Sequence, residues 1–265
     1  MNMLYPRIIP CLLVKDKGLV KTVNFKHSKY VGDPINAVRI FNEKEVDELI
    51  VLDIDATFEG REPDYGMIED LAAECRMPLC YGGGVTRSDQ VQRIVQLGVE
   101  KVAMSAAAIE KPGLVEKAAE CVGNQSVVIV LDVKKSSIGS KYEVRTHNGK
   151  KHTGKSPSEL ALEFEKRGAG EIVINSIDRD GLMKGYDLAL VKEVRKSISV
   201  PLTIIGGAGS LNDIGSVINK YGTIGAAAGS LFVFKGTYRA VLINYPNRAE
   251  KEALIKESFH SHCFA

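Results

Sequence analysis

Residues 81–91, YGGGVTRSDQV, have a second version at 205–215, IGGAGSLNDIG. Each runs from an apolar residue through a glycine turn into a segment of helical period. The two lie about 120 residues apart, close to half the chain, which marks duplication of a large unit rather than a short tandem repeat. The correspondence extends on both sides. LGVEKVAMSAA at 97–107 matches YGTIGAAAGSL at 221–231, and VLDIDAT at 51–57 matches INSIDRD at 174–180. RIIPCLLVKD at 7–16 lines up with SVVIVLDVKK at 126–135.

The matched segments belong to one regular alternation. Short β-rich runs fall at 7–14, 48–53, 78–80, 101–104, 126–133, 171–175, 201–205 and 225–228. Segments of helical period fall at 34–45, 65–74, 88–97, 112–121, 157–167, 188–196 and 211–221. Strict alternation of this kind predicts an α/β fold on a parallel sheet, and eight units fit a closed (β/α)8 TIM barrel made by half-barrel duplication. The expected extent is one barrel over 1–250, with halves at about 5–123 and 124–245 and a C-terminal tail or short helix at 251–265.

Composition sets the outer bounds. With 45% apolar and 26% charged residues among 265, the chain can bury a sizeable core and is not disordered. Its 35 Lys+Arg are interspersed with 33 Asp+Glu for a net charge of +2, which leaves no footprint for nucleic acid. No apolar run approaches the ~20 residues of a membrane span. The opening MNMLYPRIIPCLLVKD reads as a first strand, not a signal peptide. Cys11, Cys75, Cys80, Cys121 and Cys263 are odd in number and form no C-x-x-C pair, as expected of a reduced, cytoplasmic protein. His260-Ser261-His262-Cys263 reads as a polar tail rather than a metal site, and nothing in the sequence requires a cofactor.

In such a barrel the chemistry sits at the C-terminal ends of the strands. Gly82-Gly83-Gly84 ends strand three and Gly206-Gly207-Ala208-Gly209 ends strand seven. Each precedes a helix whose start carries polar capping residues (Thr86 and Ser88; Ser210 and Asn212). Glycine turns there either make tight connections or present free N–H groups to an anion. Ser105-Ala106 and Gly229-Ser230 end the strands that follow. Two symmetric cups fit a long ligand with a phosphate at each end.

Asp132 ends strand five after five apolar residues, where desolvation raises a carboxyl pKa; it reads as an acid/base or substrate contact, or as a structural aspartate. The repeat puts Leu13 in the equivalent place on strand one. Asp53, Asp55, Asp178 and Asp180 end strands two and six, to bind ligand hydroxyls or to cap turns. At the opposite rim Arg7, Glu48, Lys101 and Glu171 begin strands one, two, four and six, and their alternating signs allow a closed ring that plugs the barrel floor. The long segments 16–32 and 134–155 are candidate mobile lids. The first carries Lys21, which reaches a phosphate or stays in solvent; the second carries Thr146, His147, Asn148 and Gly149.

These residues resemble the cyclase subunit of the imidazole glycerol phosphate synthase family over about residues 5–234. RIIPCL-VKD, the GDP at 32–34, DEL-LDI at 47–54, GGG, EKV, LDVK, the THNG at 146–149, GAGEI, SIDRDG, GYD and GGAG follow in the family's order. The resemblance implies a barrel that takes ammonia from a partner glutaminase to a bisphosphate-bearing substrate. By it, Asp132 matches the second acid/base. Gly83, Gly84 and Ser105 match one phosphate cup, and Gly206, Gly207, Gly229 and Ser230 the other. Lys21 matches the mobile-loop lysine and Asp180 the strand-six aspartate. Arg7, Glu48, Lys101 and Glu171 match the ammonia gate, and Glu100 the acidic residue facing the glutaminase.

The departures lie on the substrate side. The family's first aspartate is Leu13, its Asn-Thr is Ser105-Ala106, its Thr after SIDRDG is Leu182, and its Ser before GGAG is Ile205. Loss of an acid/base group costs ~10²–10⁴ in rate. CLLVKD-KGLVKTVNF, YVGDPINA and AAGSLFVF resemble a paralogue group of surface-polysaccharide gene clusters. That likeness implies a role in sugar amidation, with a glutaminase and a third amidotransferase protein as partners. The alternatives are a cyclase of histidine biosynthesis and a non-catalytic ammonia conduit.

Overall fold

The computed structural model describes residues 5–136 and 141–262. Eight parallel strands close a barrel: β1 (Arg7–Lys15), β2 (Leu49–Asp53), β3 (Leu79–Gly82), β4 (Lys101–Met104), β5 (Val127–Lys135), β6 (Glu171–Ser176), β7 (Leu202–Ile205) and β8 (Gly225–Ala228). Each pairs with its successor, and β8 returns to β1 through Arg7↔Gly225 to Pro10↔Ala228. This is a (β/α)8 TIM barrel.

The outer layer comprises α1 (Pro34–Glu43), α2 (Tyr65–Glu74), α3 (Ser88–Gln96), α4 (Gly113–Val122), α5 (Pro157–Lys166), α6 (Leu188–Arg195), α7 (Leu211–Tyr221) and α8 (Arg248–His262). Local chemistry fixes their starts. Asp33 caps α1 ahead of Pro34, and in α5 Ser156 and Glu159 satisfy each other's backbone N–H groups ahead of Pro157. The first glycine turn departs from expectation: the Gln90 side-chain carbonyl accepts from Thr86 N (2.8 Å) and Arg87 N (3.1 Å), and Ser88 caps nothing. In α7 Ser210 forms a capping box with Asp213, not with Asn212.

Two apolar layers result. The larger lies between strands and helices and includes Ile8, Leu12, Phe41 and Phe164. The smaller fills the barrel with Ile9, Cys11, Ile50, Cys80, Ala103 and Val173 among others, and Leu13 and Leu52 pack onto its upper edge. Thus Arg7, Ile9, Cys11 and Leu13 of β1 face inward in turn, as the period of two requires.

The long segments after β1 and β5 are β-hairpins, not the open lids expected from their length. Strands Gly18–Val23 and Lys26–Gly32 extend β1, with Leu13 opposite Val20. Strands Tyr142–Thr146 and Lys151–His152 extend β5, with Asp132 opposite Arg145. Positive φ angles at Asn24 (50°) and Phe25 (60°), and at His147 (53°) and Asn148 (55°), make the reversals. The same elaboration thus occurs at the same place in both halves.

After β8 a short hairpin pairs Phe234–Lys235 with Ala240–Val241 before α8. The segment read as tail or short helix is therefore helical from Arg248 to His262; Cys263 and the side chains of His260 and His262 lie outside the described residues. Among the described residues no helix is long and apolar enough to cross a membrane, and Cys11, Cys75, Cys80 and Cys121 are free.

Candidate functional site

The floor is built by the first residues of β1, β4 and β6 together with Glu48 just before β2. Arg7 bridges Glu48 and Glu171 (2.8 Å to the latter), and Lys101 bridges the same two carboxylates at 2.9 and 2.8 Å. The four side chains therefore form a closed ring of alternating sign. Thr203 from β7 completes it by donating to Glu171 Oε1 at 2.6 Å. Glu48 and Glu171 are 3% and 4% exposed, so neither relies on water. Burial alone would push the Glu171 carboxyl up, but Arg7 and Lys101 outweigh it and hold the group at about 2. Burial likewise works against the Lys101 charge, and the two carboxylates overcome it.

Glu100, also at this end, is exposed, and its carboxylate accepts from Leu79 N at 2.8 Å. It therefore ties β3 to the segment before β4 in addition to facing outward.

At the other end lies a cavity of about 350 Å³. Its wall brings together the residues singled out at the strand ends: Lys21, Gly83, Gly84, Ser105, Asp132 and Asp180, with Gly206, Gly207, Gly229 and Ser230 completing the rim. The two glycine turns are equivalent. Gly83 has φ +125°, and a Cβ there would stand 2.5 Å from Asp53 O; Gly207 has φ +110°, and a Cβ would collide with Gly185 O. Any side chain would close either turn. Gly84 N–H donates to Thr57 Oγ1 at 3.2 Å, so one amide of the first turn is already engaged.

Lys21 lies on the first hairpin and is 6% exposed, not in solvent. Its Nζ donates to Cys11 O at 2.6 Å and sits against Gly229. Burial pushes its pKa down, opposed by Cys11 and Asp180. A cation held this way is set beside the Gly229–Ser230 cup before any ligand arrives.

The remaining carboxylates separate by environment. Asp53 accepts from Asp55 N (3.2 Å) and Ala56 N (3.0 Å) and so fastens its own turn, whereas Asp178 accepts from Lys135 N (2.8 Å) and ties the segment after β6 to the end of β5. Asp55 pairs with Lys15 at 2.9 Å and accepts from Asn148 Nδ2 at 3.3 Å, which ties the second hairpin across the mouth. Asp180 accepts from Thr22 Oγ1 (2.8 Å) and Phe25 N (3.2 Å) on the first hairpin. Burial pushes its carboxyl up, against those bonds and Lys21.

Asp132 is the carboxylate open to chemistry. Burial pushes it up to about 7, with Asn175 Nδ2, donating at 3.0 Å, pulling it back and Asp180 adding to the rise. A group poised there exchanges protons near neutral pH. Because the folded-state pKa is raised, ionisation costs stability progressively as pH climbs from about 4 through 7, and the cost persists above that. Asp132→Asn should therefore stabilise the fold at pH 8.5, by at most about 4 kcal/mol for a rise of ~3 units, and by almost nothing at pH 4. Thermal unfolding of both proteins at the two pH values checks this; an equal effect at both would refute it.

Asn175, which sequence reading did not single out, completes a pattern. Asn175 is in register with Asp132 across β6 and β5, and Leu52 is in register with Leu13 across β2 and β1. The internal repeat equates Leu13 with Asp132 and Leu52 with Asn175. One half of the mouth thus carries a polar pair, the other an apolar pair, at the same height. Reading each repeat pair position by position across neighbouring strands would have found it. Among the described residues no group of His, Cys, Asp or Glu side chains is arranged to hold a metal ion.

Comparison with known proteins bears on this site. A model of the family described as histidine biosynthesis protein matches residues 7–239. A protein of Leptospira interrogans, provisionally named imidazole glycerol phosphate synthase subunit HisF, is 58% identical over 252 residues, 95% of this chain and 99% of its own. Two proteins named imidazole glycerol phosphate synthase subunit HisF are more distant. That of Hyphomonas neptunium is 41% identical over 232 residues, 88% of this chain and 91% of its own. That of Clostridium botulinum is 40% identical over 233 residues, 88% and 92%.

Proposed function

The chain belongs to the histidine biosynthesis protein family, and from that premise we propose that it is the barrel subunit of a glutamine amidotransferase, serving amidation of a sugar in surface-polysaccharide synthesis. In this reading a partner glutaminase docks at the floor beside Glu100. Ammonia passes the ring of Arg7, Glu48, Lys101 and Glu171, and a ligand with two phosphate ends lies across the mouth. Gly83, Gly84 and Ser105 hold one phosphate; Gly206, Gly207, Gly229 and Ser230, with Lys21, hold the other.

The observation that carries the reading is the unequal mouth. Cyclisation of the kind the sequence resemblance implies gains from a proton donor and a proton acceptor on opposed strands. Here Asp132 faces an apolar pair, Leu13 and Leu52. A nitrogen-delivering subunit needs the floor and the cups intact but not that second carboxylate. A working cyclase of the lyase type is the second reading. It is favoured by Asp180, whose carboxyl burial pushes up and which faces Asp132 closely enough to raise it too.

Gene deletion in the source organism separates the two. With glutamine labelled by ¹⁵N at the amide, the label should reach an amidino sugar of the surface polysaccharide in the parent and be lost in the deletion strain. Growth without histidine should be unimpaired. Histidine auxotrophy of the deletion strain would overturn the first reading in favour of the second.

A further inference from the structure

The two hairpins lean over opposite halves of the mouth. The first, which leaves β1, is fastened after β6 by Asn24 N donating to Asp180 O at 3.0 Å, and its Lys29 Nζ stands 5.6 Å from the centre of the Phe234 ring, just past β8. It thereby spans β7, which runs into Gly206 and Gly207. The second, which leaves β5, is fastened after β2 by Asn148 donating to Asp55 at 3.3 Å, and after β4 by Lys151 pairing with Glu110 at 2.6 Å. It thereby spans β3, which runs into Gly83 and Gly84. The anchoring strands of one hairpin are those of the other advanced by four, so each hairpin roofs the glycine turn of the half to which it does not belong. The tips meet, since a Cβ on Gly149 would stand 3.6 Å from Phe25.

Each hairpin also brings basic side chains to the cavity. On the first, Lys26, His27 and Ser28 all line it, which a regular strand, with alternate side chains on opposite faces, does not allow. The register explains this. Lys21 pairs with Lys29 and Val23 with Lys26, so Thr22 alone faces His27 and Ser28. Two residues against one make a bulge, with His27 at φ +52°, and a bulge re-aims the side chains it carries. On the second hairpin His147, at φ +53°, and Lys150 line the cavity, with Lys150 Nζ 4.1 Å from the centre of the exposed Phe58 ring. Neighbouring lysines are paired, Lys15 with Asp55 and Lys151 with Glu110. Lys26, His27 and Lys150 make no ion pair among the described residues. We propose that the hairpins complete the two phosphate sites crosswise: Lys26 and His27 contact the phosphate held by Gly206, Gly207, Gly229 and Ser230, and His147 and Lys150 contact the one held by Gly83, Gly84 and Ser105. This rests on the two-phosphate reading of the mouth given above. A ligand phosphorylated at both ends then engages both hairpins, whereas one phosphorylated at a single end engages only the hairpin of the other half.

Inorganic phosphate is the probe, titrated into the ¹⁵N-labelled full-length chain and read separately at the Gly207 and Ser230 amides and at the Gly83 and Ser105 amides. Asparagine tolerates the left-handed backbone of the two histidines, so the variants are Lys26→Gln with His27→Asn, and His147→Asn with Lys150→Gln. The first double variant should weaken phosphate binding roughly 3–10-fold at Gly207 and Ser230 and less than ~2-fold at Gly83 and Ser105. The second should do the reverse. Lys29→Gln removes the same charge from the same strand but from a side chain that does not line the cavity, and should change either site by less than ~2-fold. Equal losses at both sites, losses confined to each hairpin's own half, or unchanged binding in both double variants would each overturn the inference. If one double variant does not fold, the other decides alone, because each predicts a loss at one site only. Phosphate that binds both sites of the parent but ignores the variants sinks this inference only; phosphate that shifts neither site of the parent sinks the reading beneath it.

Discussion

With ammonium chloride as the nitrogen source, the purified chain should convert the ribonucleotide substrate of the histidine-pathway cyclase at least ~100-fold more slowly than an enzyme with both aspartates, and Leu13→Asp should recover a tenfold or greater part of that deficit. The first figure is the low end of what a lost acid/base group costs. The second follows from geometry. Leu13 lines the same cavity as Asp132 and occupies the equivalent position in the repeat, so a carboxylate there needs no backbone movement to reach the ligand. Its neighbours are Leu52 and Val20, which give a new charge no partner. The variant should accordingly unfold about 1–3 kcal/mol more easily while gaining activity. Steady-state rates for the two proteins decide the matter. Unmodified chain turning over at the two-aspartate rate, with Leu13→Asp making no difference, would mean that Asp180 or another group already supplies the second proton site.

The largest effect on stability is expected at the floor. Arg7→Met leaves Glu48 and Glu171 sharing Lys101 alone, with both carboxylates almost wholly out of water. Stranding a buried charge costs about 3–5 kcal/mol, which in a domain of this size lowers Tm by roughly 6–20 °C. Lys101→Met with Glu48→Gln removes one charge of each sign and should cost less than Lys101→Met alone. The ring also fixes how acid acts on the fold. Because Arg7 and Lys101 hold Glu171 at about 2 despite its burial, its contribution is fully present above about pH 4.5 and disappears as pH falls toward 2. Urea unfolding at pH 7 and pH 3 should show the Arg7→Met deficit shrinking at the lower pH. A deficit independent of pH would show that the ring acts through packing alone.

Much of this was legible in the sequence because the barrel repeats one rule eight times. Alternating strands and helices, two glycine turns and a shared offset suffice for the architecture. The ring residues are legible because charged side chains at strand starts have few places to go. The hairpins are not, since Gly18–Val23 and Tyr142–Thr146 are short, half polar and indistinguishable from loops until they pair with β1 and β5. Lys21 looks like any loop lysine; only the hairpin turns it onto Cys11 O. Gln90 caps from the third turn-side position, which a search for Ser or Thr overlooks. Asn175 was missed because its meaning lies in its register with Asp132, a relation between strands more than forty residues apart.

The apolar layer of Ile9, Ile50, Cys80, Val128 and Val173 separates the floor from the mouth. Electrically it is an insulator: in the proposed function ammonia crosses it as a neutral molecule, whereas an ion would have to shed its hydration. Charge set free in the upper chamber consequently has one exit. Every proton that Asp132 collects must depart through the open end with the ligand or by way of bulk water, so in the proposed function matter passes between the two ends of the barrel without charge.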